Sequence, residues 1–260
     1  MKKLKCIFIF LSTWFIVNAT EPDYVWTSPS HNSSESMPCG GGDVGMNVWV
    51  ENGDVLFYVA RSGAFDEHNT LLKQGRFRIC LTPNPFQNAS DFRQTLKLND
   101  GYVEIAASGT KIQLWADVFK PVIHVEIQSK KKIATEIRYE NWRYADRLVR
   151  KGEGQQNSYK WAVPEGLKTA KDSVLASGNS VVFYHQNPEK TVFDLTVSQQ
   201  GLDVVKTELY NPLKNLISGG KMWSNNLVYA GIKNGMYAGT DFQAWIFRSR
   251  KPHTKLKISI

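Results

Sequence analysis

From Met46 onward, apolar and polar residues alternate along the chain, and turn residues interrupt the alternation. This period of two is typical of half-buried strands, because successive side chains of a strand point to opposite faces. Met46–Val50 and Val55–Ala60 flank Glu51-Asn52-Gly53-Asp54, and Asn-Gly tolerates the positive φ angles of a tight hairpin turn. Helical periodicity is almost absent, so the pattern predicts a protein built mainly from antiparallel strands.

The same alternation predicts further strands, with turn signals roughly every 8 to 12 residues. They are Arg76–Leu81, Phe92–Leu98, Tyr102–Ala107, Lys111–Val118, Val122–Ser129, Ile133–Asn141, Ser180–Gln186, Thr191–Gln199, Asp241–Arg248 and Lys255–Ile260. Short helices are predicted near Leu71 and between Val204 and Leu216. This spacing predicts an all-β fold, a large antiparallel β-sandwich with few short helices, and the lack of a constant repeat argues against propellers and solenoids.

The first residues have the composition of a secretory signal peptide. Three lysines precede the apolar stretch Cys6–Val17, and small residues at Val17 and Ala19 form a cleavage site. We therefore expect a signal peptide over residues 1–19, cleavage after Ala19, and a periplasmic or secreted protein. The apolar stretch is shorter than the roughly 20 residues of a membrane-spanning helix, so no membrane span is expected. Residues 20–260 are predicted to form a single β-sandwich domain.

Charge and cysteine content narrow the class of partners. The formal charge is +8, and it falls to +5 without the leader, which holds three of the 32 Lys and Arg and none of the 24 Asp and Glu. The basic residues are scattered and do not form the aromatic and basic groove of single-strand binders, so no nucleic acid partner is expected. In an oxidising compartment Cys39 and Cys80 could form one disulfide if their Cα atoms are close enough. The five histidines are isolated along the sequence, and we expect no metal and no cofactor.

Two motifs have several interpretations. Gly40, Gly42 and Gly45 match a dinucleotide fingerprint formally, but that motif must open a helix, whereas Met46 begins a predicted strand. The glycines instead favour a tight turn next to Asp43. The polar segment 146–172 contains Trp161, which is a candidate for contacting a sugar or a neighbouring domain, or a ring tucked into a surface loop.

Hydrolysis of sugars requires paired carboxylates, and the sequence offers Asp66, Glu67, Asp117 and Glu140. None has a spacing that fixes a reaction. Adjacent residues such as Asp66 and Glu67 are expected to point to opposite faces if they lie on a strand, unless a loop redirects one of them. No catalytic residue is therefore assigned.

Several motifs resemble the domain-of-unknown-function family 5703 (DUF5703), an N-terminal β-sandwich domain of bacterial glycoside hydrolases, and are distantly similar to the N-terminal domain of glycoside hydrolase family 95. They span nearly the whole chain after the leader: Tyr24–Ser30, Ser36–Pro38 with the glycine run, Asn47–Trp49, Phe65–Asn69, Leu72–Arg76, Asn84–Phe86, Tyr210–Leu213 and Gly219-Gly220. Three positions depart from the expected pattern, namely Cys39 and Gly41 in the glycine turn and Gly63, where an acidic residue is expected.

The resemblance implies a large super-sandwich, followed in such enzymes by a helical linker and an (α/α)6 barrel that holds the catalytic acid and base. The alternation of Leu256, Ile258 and Ile260 also leads us to expect a further C-terminal catalytic domain. By resemblance, a set of loop residues is a candidate for lining the substrate cleft or the domain interface. These residues are Asp43, Asp66, Glu67, Trp142, Arg143 and Trp161.

The expected function is that of a non-catalytic N-terminal domain of an exported glycoside hydrolase, which contacts carbohydrate through the full-length enzyme. One alternative is a stand-alone carbohydrate-binding protein that uses Trp142, Trp161 or Trp223 as a stacking platform, which requires exposed rings in one coplanar row. Another is a complete hydrolase that uses Asp66 and Glu140.

Overall fold

The computed structural model describes residues 23–149, 153, 164 and 167–260, and it confirms the all-β fold class. The described residues form seventeen strands: β1 (Tyr24–Trp26), β2 (Met37–Gly41), β3 (Val44–Glu51), β4 (Asp54–Phe65), β5 (Leu71–Thr82), β6 (Arg93–Lys97), β7 (Tyr102–Ala107), β8 (Thr110–Ala116), β9 (Ile123–Asn141), β10 (Arg147–Leu148), β11 (Lys168–Thr169), β12 (Ser173–Ser177), β13 (Ser180–Gln186), β14 (Ile217–Trp223), β15 (Leu227–Tyr237), β16 (Thr240–Ser249) and β17 (His253–Ser259). Helix α1 spans Val192–Gln199, and short 3-10 helices span Ser33–Glu35 and Asp203–Glu208. The predicted leader and Trp161 lie outside the described residues.

Strand β9 is 19 residues long and belongs to both layers of the sandwich. Its first part pairs with β8 and β17, within the strand order β1-β6-β7-β8-β9-β17-β14-β13-β12, which we call the first sheet. Its last part pairs with β5 and β16, within the order β2-β3-β4-β5-β9-β16-β15, the second sheet. The register shifts where the strand passes between layers, since Lys255 is opposite Gln128 but His253 is opposite Ile133. One strand therefore joins the two sheets.

The main core lies between these sheets and is made by alternate residues of their strands. Ile127 of β9 is flanked by Ile112 and Leu256 in the first sheet, and all three are buried. Burial of each such side chain stabilises the fold by about 1.5–3 kcal/mol. Phe77 links the layers, because its ring lies 5.9 Å from that of Phe183, measured between centroids.

Three local predictions were wrong. Thr191–Gln199 was expected to be a strand, but a helix begins at Val192, since the Asp194 carboxylate accepts a hydrogen bond from the Thr191 backbone N–H (2.9 Å) and caps the first turn. The helix expected near Leu71 is strand β5. The segments Val122–Ser129 and Ile133–Asn141 are one continuous strand, β9.

Cys39 and Cys80 are free thiols in the structure. Cys39 lies on β2 and Cys80 on β5, with β3 and β4 between them. Three strand spacings correspond to about 14 Å. A disulfide requires Cα atoms within about 7 Å. The sheet order therefore keeps these cysteines apart.

Candidate functional site

The tip of the β15–β16 hairpin covers part of the second sheet, on the face that points away from the main core. In the described chain, β16 pairs with β9 only as far as Gln243, so the hairpin extends beyond the end of β9. The Tyr237 ring lies 6.3 Å from that of Trp49 on β3, although four strands separate β3 from β15 in the sheet order. The Tyr237 hydroxyl also donates a hydrogen bond to Glu51 Oε2 (2.8 Å). The sheet therefore curls, and Trp49 is fully buried on this face.

A cavity of about 520 Å³, which we call the hairpin cavity, lies beneath this tip. Its volume is within the range typical of small-molecule sites, about 300–1,000 Å³. Aromatic and charged side chains alternate around it: Tyr58, Lys73, Arg76, Trp142, Tyr144, Arg147, Glu153, Tyr237, Asp241 and Phe242, with Ala145, Ala238 and Thr240. The rings of Trp142 and Tyr58 are nearly perpendicular, with centroids 6.0 Å apart and planes at 83°.

Arg76 forms the floor of the hairpin cavity. Its guanidinium lies 3.8 Å from the centroid of the Tyr237 ring and 5.2 Å from that of Phe242. On its other side it pairs with Glu140 of the neighbouring strand β9. Glu140 also accepts a hydrogen bond from Arg78 Nε (2.8 Å) and is 0% exposed, so both of its oxygens are held by arginines.

A second cluster of charges lies around Arg143, the residue after Trp142, and we call it the Arg143 network. Arg143 donates to Asp66 Oδ2 (3.0 Å), to both oxygens of Glu67 (3.0 Å each) and to Asp172 Oδ1 (3.3 Å). His185 contacts Asp172 Oδ1 through Nδ1 and Glu67 Oε2 through Nε2, both at 2.9 Å. All five side chains are at least nine-tenths buried.

Electrostatics keep Glu67 and His185 of the Arg143 network ionised. Burial alone would raise the pKa of Glu67, but hydrogen bonds from His185 and His68 and the charge of Arg143 outweigh it and hold that pKa well below its usual range. Burial alone would lower the pKa of His185, yet its hydrogen bonds to Asp172 and Glu67 raise it to about 9. Glu67 thus carries negative charge and His185 carries positive charge at neutral pH.

The network fixes the backbone on which Trp142 lies. Asn141 precedes Trp142 and donates through Nδ2 to Asp172 Oδ2 (2.8 Å), while its Oδ1 accepts from the Arg143 backbone N–H (2.6 Å). Trp142 is therefore anchored on both sides by buried polar contacts, with its ring directed toward the hairpin cavity.

The candidate residues from the sequence fall in three places. Trp142 lines the hairpin cavity, whereas Asp66, Glu67 and Arg143 belong to the buried network. Asp66 and Glu67 do not point to opposite faces: both follow the end of β4 in a turn and both reach Arg143. Asp43 lies in the turn between β2 and β3, where its side chain pairs with Arg61 (2.7 Å) at the surface.

Trp161 lies outside the described residues. Trp223 is 44% exposed on β14 of the first sheet, outside the lining of the hairpin cavity. Arg76, Tyr237 and Phe242 were not predicted from the sequence as site residues. Their alternation with apolar neighbours resembled that of ordinary strands, and only the folded hairpin brings them together.

Neither Asp66 nor Glu140 is part of the described lining of the hairpin cavity, and each is paired with an arginine.

Over the described ranges, no group of three or more His, Cys, Asp or Glu residues is arranged to hold a metal ion. None of the helices in the described chain is long and apolar enough to span a bilayer.

A family model, "Domain of unknown function (DUF5703)" in its N-terminal form, matches residues 25–260. The match covers every described strand except the first residue of β1. No curated protein gives a significant match to the chain.

Proposed function

This chain belongs to the DUF5703 family, and we propose that it binds carbohydrate in the hairpin cavity as a non-catalytic N-terminal domain of an exported glycoside hydrolase. In this proposal the domain supports a catalytic barrel and lines its substrate cleft. The relationship to glycoside hydrolase family 95, the export by residues 1–19 and the catalytic partner domain are parts of the proposal that rest on the sequence resemblance and the leader composition.

The composition of the hairpin cavity is the observation that supports carbohydrate as the ligand. A sugar ring has apolar C–H faces and a rim of hydroxyl groups, so it is held by aromatic rings together with donors and acceptors. The cavity offers both kinds of group, with Trp142 and Phe242 as aromatic surfaces and Arg76 and Asp241 as hydrogen-bonding groups.

The state of the buried carboxylates favours a non-catalytic role. A glycosidase acid must hold a proton near neutral pH and reach the glycosidic oxygen. The lowered pKa of Glu67 keeps this carboxylate ionised at neutral pH, and both oxygens of Glu140 are paired with Arg76 and Arg78. These residues therefore stabilise the site without contacting a substrate, as expected for a domain that completes a cleft.

Substitution of Trp142 tests the proposal. Isothermal titration of the purified protein with a panel of oligosaccharides should identify a ligand. For that ligand, Trp142→Ala should weaken binding about tenfold, or about 1.4 kcal/mol, because an aromatic contact with the sugar ring is removed. The Arg143 network does not use the Trp142 side chain, so the variant should remain folded, as a cooperative melting transition would show.

Trp223→Ala is the matched control, since this exposed tryptophan lies in the first sheet away from the cavity. It should bind the oligosaccharide as the parent does. The proposal is wrong if no oligosaccharide binds, or if both tryptophan variants bind equally well.

A further inference from the structure

A second cavity of about 510 Å³ adjoins the hairpin cavity on the same face of the sheet. Both cavities include Tyr58 and Lys73 in their linings, so they meet at these two residues. The second cavity lies over β2–β5, and small or apolar residues such as Gly45 and Ala60 form its walls. The two cavities together form one groove across the second sheet, and each has the size of a separate small-molecule site.

Lys73 marks the junction of the two cavities. Its ammonium lies 4.6 Å above the centroid of the Tyr58 ring, and it forms no ion pair with any residue that the structure describes. The other cations of the groove are engaged, Arg76 with Glu140 and Arg147 with Glu153 (2.7 Å). Lys73 is thus an exposed cation beside an aromatic surface and available to an anionic group.

We propose that the groove binds an extended acidic oligosaccharide across both cavities, with a carboxylate or sulfate group of one sugar at Lys73. This inference rests on the proposed carbohydrate-binding function and names its substrate class. The joined cavities favour a chain over a single sugar. Lys73, which forms no ion pair with a described residue, favours an acidic chain over a neutral one. Asp241 also lines the hairpin cavity, where its side-chain oxygens are placed to accept hydrogen bonds from sugar hydroxyl groups.

Neutralisation of Lys73 tests whether an acidic group of the ligand binds at this residue. The probes are a hexasaccharide of a uronic acid, a sulfated hexasaccharide and a neutral cellulose hexasaccharide. Lys73→Gln should weaken binding of the acidic probe about tenfold and reduce the salt dependence of its affinity, and it should weaken binding of the neutral probe much less. The two acidic probes distinguish carboxylate from sulfate. Lys255→Gln, another exposed strand lysine, is the matched control and should behave as the parent.

Obstruction of the second cavity tests the length of the ligand. A Cβ atom built at Gly45 meets no atom within 4 Å, so Gly45→Phe should fill the second cavity without straining the backbone. The variant should lose about tenfold in affinity for the acidic hexasaccharide. It should lose none for a trisaccharide of the same acid, a shorter probe that is expected to occupy the hairpin cavity alone. Gly45→Ala should retain the parent affinity for both.

The outcomes separate the two proposals. If neutral oligosaccharides bind with sensitivity to Trp142→Ala but Lys73→Gln has no effect, the acidic ligand is wrong and the carbohydrate function stands. If Gly45→Phe leaves hexasaccharide binding unchanged, the ligand does not extend into the second cavity. If no saccharide binds, both proposals fail.

Discussion

At the scale of single residues, the Arg143 network shows how buried charges are tolerated. Removal of ionised groups from water is costly, so each must be compensated by opposite charge and hydrogen bonds. Arg143 forms ion pairs with Asp66, Glu67 and Asp172. His185 provides a second ion pair to two of these carboxylates, Glu67 and Asp172. The network therefore depends on the protonation of His185.

The raised pKa of His185 leads to a prediction about pH. A histidine of unfolded pKa near 6.5 and folded pKa about 9 contributes stability fully below pH 6.5, and this contribution is lost as the pH rises toward 9. The free energy of unfolding, measured with urea, should therefore fall for the parent between pH 6 and pH 9.5. His185→Gln should be less stable at pH 6, and the difference should shrink by a few kcal/mol at pH 9.5. Parallel pH profiles of the two proteins would contradict this role of His185.

The sequence identified Asp66, Glu67 and Arg143 but gave no sign of Asp172 or His185. The first three were found because they lie in motifs of the resemblance, whereas their partners lie on distant segments of ordinary composition. Ion pairs form between side chains that folding brings together, and spacing along the sequence does not indicate which residues become partners. The electrostatic part of the site therefore required the structure.

At the scale of elements, Gly75 explains how β5 follows the curled sheet. Its φ angle is +129°, and a Cβ at this position would lie 2.4 Å from Cε2 of Tyr139 on the neighbouring strand β9. The pairing of β4 with β5 also shifts register near this point, between Tyr58 and Ala60. A side chain at Gly75 would both strain the backbone and displace a buried ring.

Gly75→Ala should therefore lower the free energy of unfolding by roughly 1–3 kcal/mol, the usual cost of overpacking a core. Gly45→Ala is the matched control, since a methyl group at Gly45 meets open space on a strand of the same sheet. Urea midpoints for the parent and both variants provide the measurement. Equal midpoints for the two glycine variants would show that Tyr139 moves aside at little cost.

Elements defined by local chemistry were predictable, and those defined by tertiary packing were not. The β3–β4 hairpin was predicted from Asn52-Gly53, and both residues have the expected positive φ angles, 52° and 82°. Helix α1 was missed because its β-branched residues resemble a strand, although the pair Thr191 and Asp194 is a capping signal. The folded tip of the β15–β16 hairpin has no local signal, so the hairpin cavity was absent from the prediction.

At the scale of the whole molecule, the sequence predicted the architecture because periodicity reports which residues are buried. What it did not predict is that β9 belongs to both sheets, since the exposed Lys130–Lys132 separates two apparently independent strand patterns. The family came from motifs in the chain and not from its composition. These motifs identify relatives, whereas the ligand must be argued from the groove itself.

The shared strand makes a prediction about unfolding. Chains longer than about 150 residues often unfold in several steps. Here, however, β9 contributes residues to one core cluster that both sheets enclose, so neither sheet retains its core once the other is lost. We expect the two sheets to unfold together. Hydrogen exchange measured by mass spectrometry at increasing urea should give the same midpoint for peptides from β4 and from β8.

The segment Asp203–Glu208 provides an internal comparison, because it has no buried residue and should exchange at lower urea. Midpoints that differ between β4 and β8 would mean that each sheet is a separate cooperative unit, in spite of the strand they share. A single midpoint would instead mean that the groove on the second sheet is coupled to the stability of the first. In that case Gly75→Ala should shift the midpoints of β4 and β8 peptides by the same amount.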